Sequence, residues 1–534
     1  MPNLPTSNPT ADIAASRARR RSPTWPVDIA GALAAGVSYS VAFVHTGAWA
    51  LQFALVAALA WRVSQVRPTR AAVIGWAFGL GWLAAGTWWL YISLHDHGGL
   101  PAVLAVAAVA GLSAALSLYL AAAMAVFSRW RWRRALPDAL LFSACWTLAE
   151  LARGILFTGF PWVASGYAQI DGPLAGLAPW VGVYGLGAAA AALSAAPAVA
   201  SGMTSRAAGA VAACGVAAAL AQAGPGDHTR TAGMLQVALI QTNVAQDDKF
   251  AVDRMPEALQ WLSAQLLAAR ADLVVAPETA IPLLPADLGA DYWQRLGDHF
   301  SSPDRAALIG RPMGSYEAGY TNSVSGLGGS AAAAEYRYDK HHLVPFGEFI
   351  PRGFHWFTEM MNIPLGDFAR GPLVAPSFGV TGATGATQRV APNICYEDLF
   401  GEELAARFAD PATAPTVFAN ISNIAWFGDS SAIPQHLNIS RMRTLEMQRP
   451  MIRATNTGAT VVIDHQGRVT QALPPFTRGV LEARVEGRDG LTPYVRWVAP
   501  FGLWPLALAS FVVVVSALLS ARTRRPDGPE EQST

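Results

Sequence analysis

Eight apolar runs, at about 27–44, 47–63, 71–93, 100–127, 138–156, 180–200, 207–223 and 501–520, dominate this 534-residue chain. A run that crosses the hydrocarbon core of a bilayer needs about 20 apolar residues, within a range of roughly 17–25. Inside that core every backbone N–H and C=O must be bonded within the chain, so such runs are constrained to be helices. One run alone could be a buried helix of a soluble domain; eight together specify a membrane bundle. The second and seventh runs are the shortest, and the seventh is rich in Ala. Composition agrees, with 52% hydrophobic and only 14% charged residues, where a soluble domain carries about 25% charged.

The charges between the runs orient the bundle. With a cytoplasmic N-terminus, Arg17, Arg19, Arg20 and Arg21, then Arg62, Arg67 and Arg70, then Arg129, Arg131, Arg133 and Arg134, then Arg206, and finally Arg522, Arg524 and Arg525 all fall inside. The outer loops near His45, His95 and Gly172 carry almost no basic residues, Arg153 being the exception. Cytoplasmic loops are the ones enriched in Lys and Arg, so both termini are expected inside and the long segment between runs seven and eight outside. A basic stretch before an apolar run can also head a cleavable signal peptide, but the runs that follow make the first a span. The expected organisation is a disordered cytoplasmic tail over 1–26, seven spans over 27–228, an outer domain over 229–496, the eighth span over 497–521 and a second tail over 522–534.

Residues 229–496 have a different texture. Strands fit Leu235–Val244, Asp272–Pro277, Ala306–Arg311, Thr321–Leu327, Glu335–Leu343, Arg389–Cys395 and Pro415–Ile421; helices fit Pro256–Arg270, Ala290–Phe300 and Pro434–Gln448. Ala459–Asp464 and Arg468–Gln471 flank His465-Gln466-Gly467, a hairpin turn. Mixed strands and helices over this length predict one α/β domain. A net charge of +1 without a basic stripe of interleaved aromatics gives no sign of a nucleic-acid partner. Three cysteines at wide spacings, Cys145, Cys214 and Cys395, form neither a disulfide framework nor a zinc pattern, so no metal is expected. Cys145 and Cys214 lie in apolar runs, where Cys is usually a small core residue.

Cys395 ends the apolar strand Val390–Cys395 and precedes Tyr396-Glu397-Asp398 and a helix near Phe400–Phe408. A thiol at a strand-to-helix junction feels the positive end of the helix, which favours thiolate. Glu278 stands where the strand before Pro277 ends, and Lys340 lies in the β-like segment Tyr338–Glu348. Alone, each is more often structural or solvated; together they supply three complementary roles. A carboxylate whose pKa is raised by burial can take the thiol proton, and a cation can hold the oxyanion of a tetrahedral intermediate.

Pro277-Glu278-Thr279, Asp339-Lys340-His341 and Cys395-Tyr396-Glu397 resemble the Glu–Lys–Cys triad of the nitrilase (carbon–nitrogen hydrolase) superfamily. The segments 340–351 (KHHLVPFGEFIP), Ile421-Ser422-Asn423 with Ala425–Ser430, 449–458 (RPMIRATNTG), Glu150–Arg153 and Thr158–Trp162 are similar to the apolipoprotein N-acyltransferase family. The resemblance covers about residues 27–520. It implies an αββα sandwich beyond an eight-helix bundle, in the inner membrane of a bacterium with the catalytic domain periplasmic. It also implies transfer of an acyl chain from a phospholipid, through a Cys thioester, to the amine of a diacylglyceryl-modified N-terminal Cys of an apolipoprotein, by a monomer without cofactor. By position Glu278 is the general base, Lys340 the oxyanion stabiliser and Cys395 the nucleophile. Glu348 and Glu397 tune Lys340, the Tyr396 N–H supports the oxyanion, and Trp426 and Phe427 form an apolar lid. Two positions depart from the family pattern: Ile424 replaces an Asp, and Phe250 stands nearest an expected Trp.

Glu150 and Arg153 lie near the outer end of the fifth span. Charge inside a span is costly and marks either a functional site or an internal ion pair. A membrane-anchored amidohydrolase would use the same triad, but eight spans are more than an anchor needs. A transporter is disfavoured because the spans lack a set of ionisable residues and an inverted repeat.

Overall fold

A computed structural model describes residues 24–302, 305–329, 336–350, 367–382 and 385–523. Most of the expected 1–26 and 522–534 tails lie outside the described residues, and the first helix already begins at Trp25. Among the described residues, six helices are long and apolar enough to cross a membrane: Trp25–Val44 (α1), Ala102–Trp130 (α4), Ala135–Thr158 (α5), Ala175–Ala198 (α6), Met203–Ala223 (α7) and Trp504–Thr523 (α13). The other two expected spans differ. The third is a bent pair, Pro68–Gly86 (α3) and Leu90–His97, with 62° between the halves. The second is Ala50–Val63 (α2), 14 residues or about 21 Å at 1.5 Å per residue, against a hydrocarbon core of roughly 30 Å. It is short because the run's first residues form a 3-10 turn, Thr46–Ala48, where the Thr46 hydroxyl donates to Asp171.

Small residues set the bundle's tightest crossing. A Cβ on Gly81 would stand 2.2 Å from the Leu33 carbonyl oxygen, so α1 and α3 meet backbone to backbone. Tyr39, Phe43, Phe78, Trp82 and Trp146 fill the centre, with Trp82 and Trp146 stacked at 5.7 Å. Asp28 pairs with Arg62 at 2.7 Å and with Arg70 at 2.6 Å, so some of the arginines between spans also tie helices together. Cys145 is buried as expected. Cys214 is exposed, because α7 presents no buried residue to the bundle.

The segment after α7 folds into two six-stranded sheets, ordered β12-β1-β2-β3-β4-β5 and β11-β10-β9-β8-β7-β6. The first holds β1 (Arg230–Gln241), β2 (Leu273–Val275), β3 (Ala306–Ser315), β4 (Gly319–Gly328), β5 (Tyr336–Asp339) and β12 (Gly479–Asp489). The second holds β6 (Phe378–Thr381), β7 (Thr387–Ile394), β8 (Val417–Ser422), β9 (Met451–Thr455), β10 (Val461–Ile463) and β11 (Val469–Ala472). β1, β2 and β3 run parallel, as do β7, β8 and β9. Period-two alternation divides the side chains between faces. Leu235, Val237 and Leu239 of β1 meet Val417, Ala419 and Ile421 of β8 between the sheets, while Ala238 and Ile240 face the helices Met255–Ala268 (α8) and Ala290–His299 (α9). The outer face of the second sheet is covered by Gly401–Ala406 (α10) and Ala432–Met447 (α11), whose apolar residues, with those of Pro493–Phe501 (α12), join one continuous core with the bundle. The architecture is therefore α-β-β-α, with its last helical layer packed directly on the membrane helices.

Candidate active site

Three strands deliver the triad to one edge of the sandwich, and each residue sits just past its strand's last paired position. β2 ends at Val275 and leads to Glu278; β5 ends at Asp339 and Lys340 follows; β7 ends at Ile394 and Cys395 follows. Thr279 (φ +49) and Cys395 (φ +50) both adopt left-handed backbone, uncommon for side chains of their kind and frequent at functional turns.

Lys340, 1% exposed, lies between two carboxylates, with Nζ 2.9 Å from Glu348 Oε1 and 3.4 Å from Glu278 Oε1. Asn322 on β4 bridges the same two, its Nδ2 donating to Glu278 Oε1 at 2.7 Å and Glu348 Oε1 at 2.6 Å. The Asn423 amide donates to Glu278 Oε2 at 2.8 Å, and the Val344 amide to Glu348 Oε2 at 2.8 Å. Lys249, also buried, donates from Nζ to the Glu278 carbonyl oxygen at 2.9 Å. Glu348 is thus a direct partner of Lys340 and not a surface charge. Glu397 acts at one remove. Its carboxylate accepts from Tyr338 Oη at 2.6 Å and from the amides of His341 at 2.7 Å, His342 at 3.2 Å and Ile394 at 2.7 Å. It therefore ties the backbone after Lys340 to the backbone before Cys395.

The electrostatics correct two expectations. Burial pushes the Cys395 thiol well up and the neighbouring Glu278 charge adds to this, with Lys340 offsetting only part. The following helical turn, Cys395–Leu399, is short and does not overturn that balance, so the resting thiol is protonated. Glu278 behaves in the opposite sense. Burial alone would raise its pKa, but Lys340, the Asn322 hydrogen bond, Lys249 and the Asn423 amide together hold it below the ordinary carboxylate value. It is ionised because cations and donors surround it, not protonated because it is buried. For Lys340 burial works against the charge, yet Glu348 and then Glu278 outweigh it and keep the ammonium. Lys249 has less compensation: burial lowers it to about 8 against the opposing pull of Glu278.

The bundle reaches the back of this site through residues 158–165. Tyr396 Oη donates to the Gly159 carbonyl oxygen at 3.2 Å, and His342 Nε2 lies 3.0 Å from the Thr158 carbonyl oxygen. Arg153 shapes this loop, donating from Nη1 to the carbonyl oxygens of Phe160 at 2.8 Å and Trp162 at 2.7 Å, and pairing with Glu150 at 3.4 Å. Of the two readings left open for Glu150 and Arg153, the structure has the internal ion pair. Trp426 and Phe427 are half-buried at the seam, Trp426 edge-on to His97 at 5.9 Å and Phe427 4.3 Å from Trp89, ring to ring. Ile424 is 2% exposed and packs against Gly458, an apolar contact in place of a polar group. Phe250 is half-buried beside Lys249. Asn322 and Lys249 went unread in the sequence, and Asn423 was read only as part of the segment Ile421-Ser422-Asn423, without a role. An amide side chain within a strand otherwise made of hydroxyl, Gly and apolar residues, Thr321–Leu327, was the available signal for the first.

The comparisons divide the chain as the fold does. Residues 35–196 match the model described as "Apolipoprotein N-acyltransferase N-terminal domain", and residues 236–490 match "Carbon-nitrogen hydrolase". An apolipoprotein N-acyltransferase from Verminephrobacter eiseniae is 49% identical, over 95% of this chain and 99% of its own length. Another from Ralstonia nicotianae is 45% identical, over 97% and 98% respectively. With full-length similarity of this degree, and a membrane bundle joined to a carbon–nitrogen-hydrolase domain, the chain belongs to the apolipoprotein N-acyltransferase family and is an acyltransferase.

Proposed function

We propose that the protein transfers an acyl chain from a membrane phospholipid to the α-amine of a diacylglyceryl-modified N-terminal Cys of an apolipoprotein, through a thioester on Cys395. The observation that carries this is the buried group of Glu278, Lys340 and Glu348 beside Cys395, set against a membrane bundle. At neutral pH Lys340 and Lys249 are cationic and Glu278 is anionic, with the Glu348 carboxyl group 2.9 Å from Lys340 Nζ. Passing the Cys395 proton to Glu278 moves charge within the cluster without changing its total, which is why a carboxylate suits as base. The thiolate then attacks the ester carbonyl, forming the S–C bond. Lys340 and the Tyr396 N–H stabilise the oxyanion. Collapse breaks the ester C–O bond, and the Glu278 proton goes to the departing lysophospholipid. In the second half-reaction the lipoprotein amine attacks the thioester, Glu278 takes the amine proton, the C–N bond forms and Cys395 leaves with that proton. Trp426 and Phe427 act as an apolar lid that keeps water from the thioester.

The same reading makes all eight apolar segments membrane-embedded, with both termini cytoplasmic, the catalytic domain periplasmic and the monomer sufficient. The divisions at 1–26, 27–228, 229–496, 497–521 and 522–534 follow from it. The test is mass spectrometry of enzyme and peptide. Wild type with phospholipid alone should hold a hydroxylamine-sensitive acyl group, and a diacylglyceryl-Cys peptide should discharge it into an N-acyl product. Cys395→Ala should do neither. Release of free fatty acid or ammonia regardless of peptide would point instead to an amidohydrolase, and an N-acyl product without Cys395 would overturn the mechanism.

A further inference from the structure

Directly behind Cys395 lies a second polar cluster that the mechanism above does not use. It comprises Asp398 on the helical turn, His436 and Ser440 on α11 and Arg453 on β9, none more than 1% exposed. Asp398 Oδ2 accepts from Arg453 Nη1 at 3.1 Å and from the Ser440 hydroxyl. Arg453 Nη2 stands 3.0 Å from His436 Nδ1. A guanidinium can only donate, so Nδ1 accepts and the ring's N–H is on Nε2. That nitrogen faces two acceptors, Asp398 Oδ1 at 3.1 Å and the Cys395 carbonyl oxygen at 3.2 Å. Asn420 on β8 supplies the carbonyl with a second donor, Nδ2 at 3.2 Å.

The target of these donors matters because a peptide group is a rigid unit. The carbonyl of Cys395 and the amide of Tyr396 belong to one planar peptide, trans as throughout the described residues, and point in opposite directions. Fixing the carbonyl toward His436 and Asn420 fixes the Tyr396 N–H toward the opposite side. Tyr396 is also in the first turn of its helix, where amides have no carbonyl one turn back. Donation to the carbonyl further polarises the same peptide and strengthens its N–H as a donor. Holding Cys395 at φ +50 needs such restraint, since the conformation is not one its side chain favours. The bundle takes part, with Trp162 stacked on the His436 ring at 5.6 Å and 23°.

We infer that His436 and Asn420 are positioning residues that lock the Cys395–Tyr396 peptide with its N–H aimed at the developing oxyanion, and that Asp398 and Arg453 serve by fixing the tautomer of His436. The inference rests on the reading that Tyr396 N–H is an oxyanion donor.

The test compares two reactions of the same thiol in the full-length, membrane-purified enzyme. Acylation by phospholipid needs the oxyanion donor; alkylation by iodoacetamide needs only an accessible, ionisable thiol. His436→Phe keeps a ring against Trp162 and removes the donor. Losing an oxyanion donor outright slows catalysis about 10²–10³-fold, and a donor that remains but is misaimed should lose about 10–100-fold. Single-turnover acylation by His436→Phe should fall by that factor, with the half-saturating phospholipid concentration within about twofold and alkylation within about threefold of wild type. His436→Gln, which can present an amide N–H near the same place, should recover most of the rate. Asn420→Ala serves as the second variant if His436→Phe is not recovered from membranes, with the same split expected. Unchanged acylation in these variants, or acylation and alkylation falling together, would overturn the inference. No acyl-enzyme even in wild type would instead remove the reading beneath it, and the inference with it.

Discussion

Replacing Glu348 by Gln changes one atom of the site and should expose how Lys340 is held. Glu348 uses both oxygens: Oε1 accepts from Lys340 at 2.9 Å and Asn322 at 2.6 Å, while Oε2 accepts from the Val344 amide at 2.8 Å. Gln offers one oxygen and one NH2 group. If the oxygen stays with Lys340 and Asn322, the NH2 confronts the Val344 N–H; if the amide turns over, the NH2 confronts the ammonium. Either way a buried donor loses its acceptor, which costs about 1–3 kcal/mol of stability. Glu278 remains 3.4 Å from Nζ, so Lys340 is not left unpaired and the fold should survive. The greater effect is on catalysis. With one carboxylate gone, Lys340 pairs more closely with Glu278, making it a weaker base for the thiol and leaving less of the ammonium for the oxyanion. A charge-assisted hydrogen bond is worth about 1.5–3 kcal/mol, and at about 1.36 kcal/mol per decade this predicts acylation slower by about 10–150-fold. The assay is single-turnover formation of the hydroxylamine-sensitive acyl-enzyme from labelled phospholipid. A Glu348→Gln rate within about twofold of wild type, in an enzyme that still requires Cys395, would refute the reasoning.

Three further outcomes are expected. Lys249, lowered to about 8 by burial, is a cation against Glu278 below that pH and neutral above it, and a cation there weakens Glu278 as a base, so the ratio of wild-type to Lys249→Met acylation rates should rise as pH rises through 8; a constant ratio across that range would remove Lys249 from the site's electrostatics. The unfolded chain would hold this proton up to about 10.5, so the same group makes folding stability rise between 8 and 10.5. For topology, Tyr316, 69% exposed at the β3–β4 turn, replaced by Cys in a Cys214→Ala background, should react with an impermeant thiol reagent in intact spheroplasts, and protection until lysis would reverse the proposed orientation.

What the sequence made legible depends on how local each signal is. Apolar length is local, so the runs that became α1, α4, α5 and α13 stood out. Whether a run stays straight is not local: α3 ends at Gly86, and Trp89 just beyond it donates from Nε1 to Gln435, 346 positions away. Strands with apolar inward faces could be read, but β12 was missed. Its alternation was there to see, Leu481, Ala483 and Val485 against Glu482, Arg484 and Glu486. Its charges interrupt the apolar pattern on alternate positions; its antiparallel pairing with β1 along almost its whole length makes it a strand. The triad showed through residue types at strand ends. The thiol's protonation state did not, because it depends on burial and on the balance of Glu278 against Lys340, which only the assembled site contains.

α11 carries the last step of the argument. Its sequence, with Gln435, His436, Asn438, Arg443, Thr444 and Glu446, reads as a surface helix, yet all six are buried. They are buried because they bond the bundle on one side and the catalytic layer on the other. Gln435 accepts from Trp89 at 3.0 Å and Trp162 at 2.8 Å; Asn438 donates to the Phe43 carbonyl oxygen at 3.1 Å; Glu446 accepts from the Val183 amide at 2.7 Å. An apolar seam could slide, since apolar contact has little directional preference. A seam of buried hydrogen bonds cannot slide without leaving donors unpaired, at about 1–3 kcal/mol each. The catalytic domain is therefore fixed at one height and angle above the membrane helices. If donor and acceptor are both lipid-anchored, neither can be collected by a domain that swings toward it. Each must diffuse in the bilayer to the same stationary Cys395. The proposed covalent intermediate, which stores the acyl chain between the two arrivals, suits such rigidity.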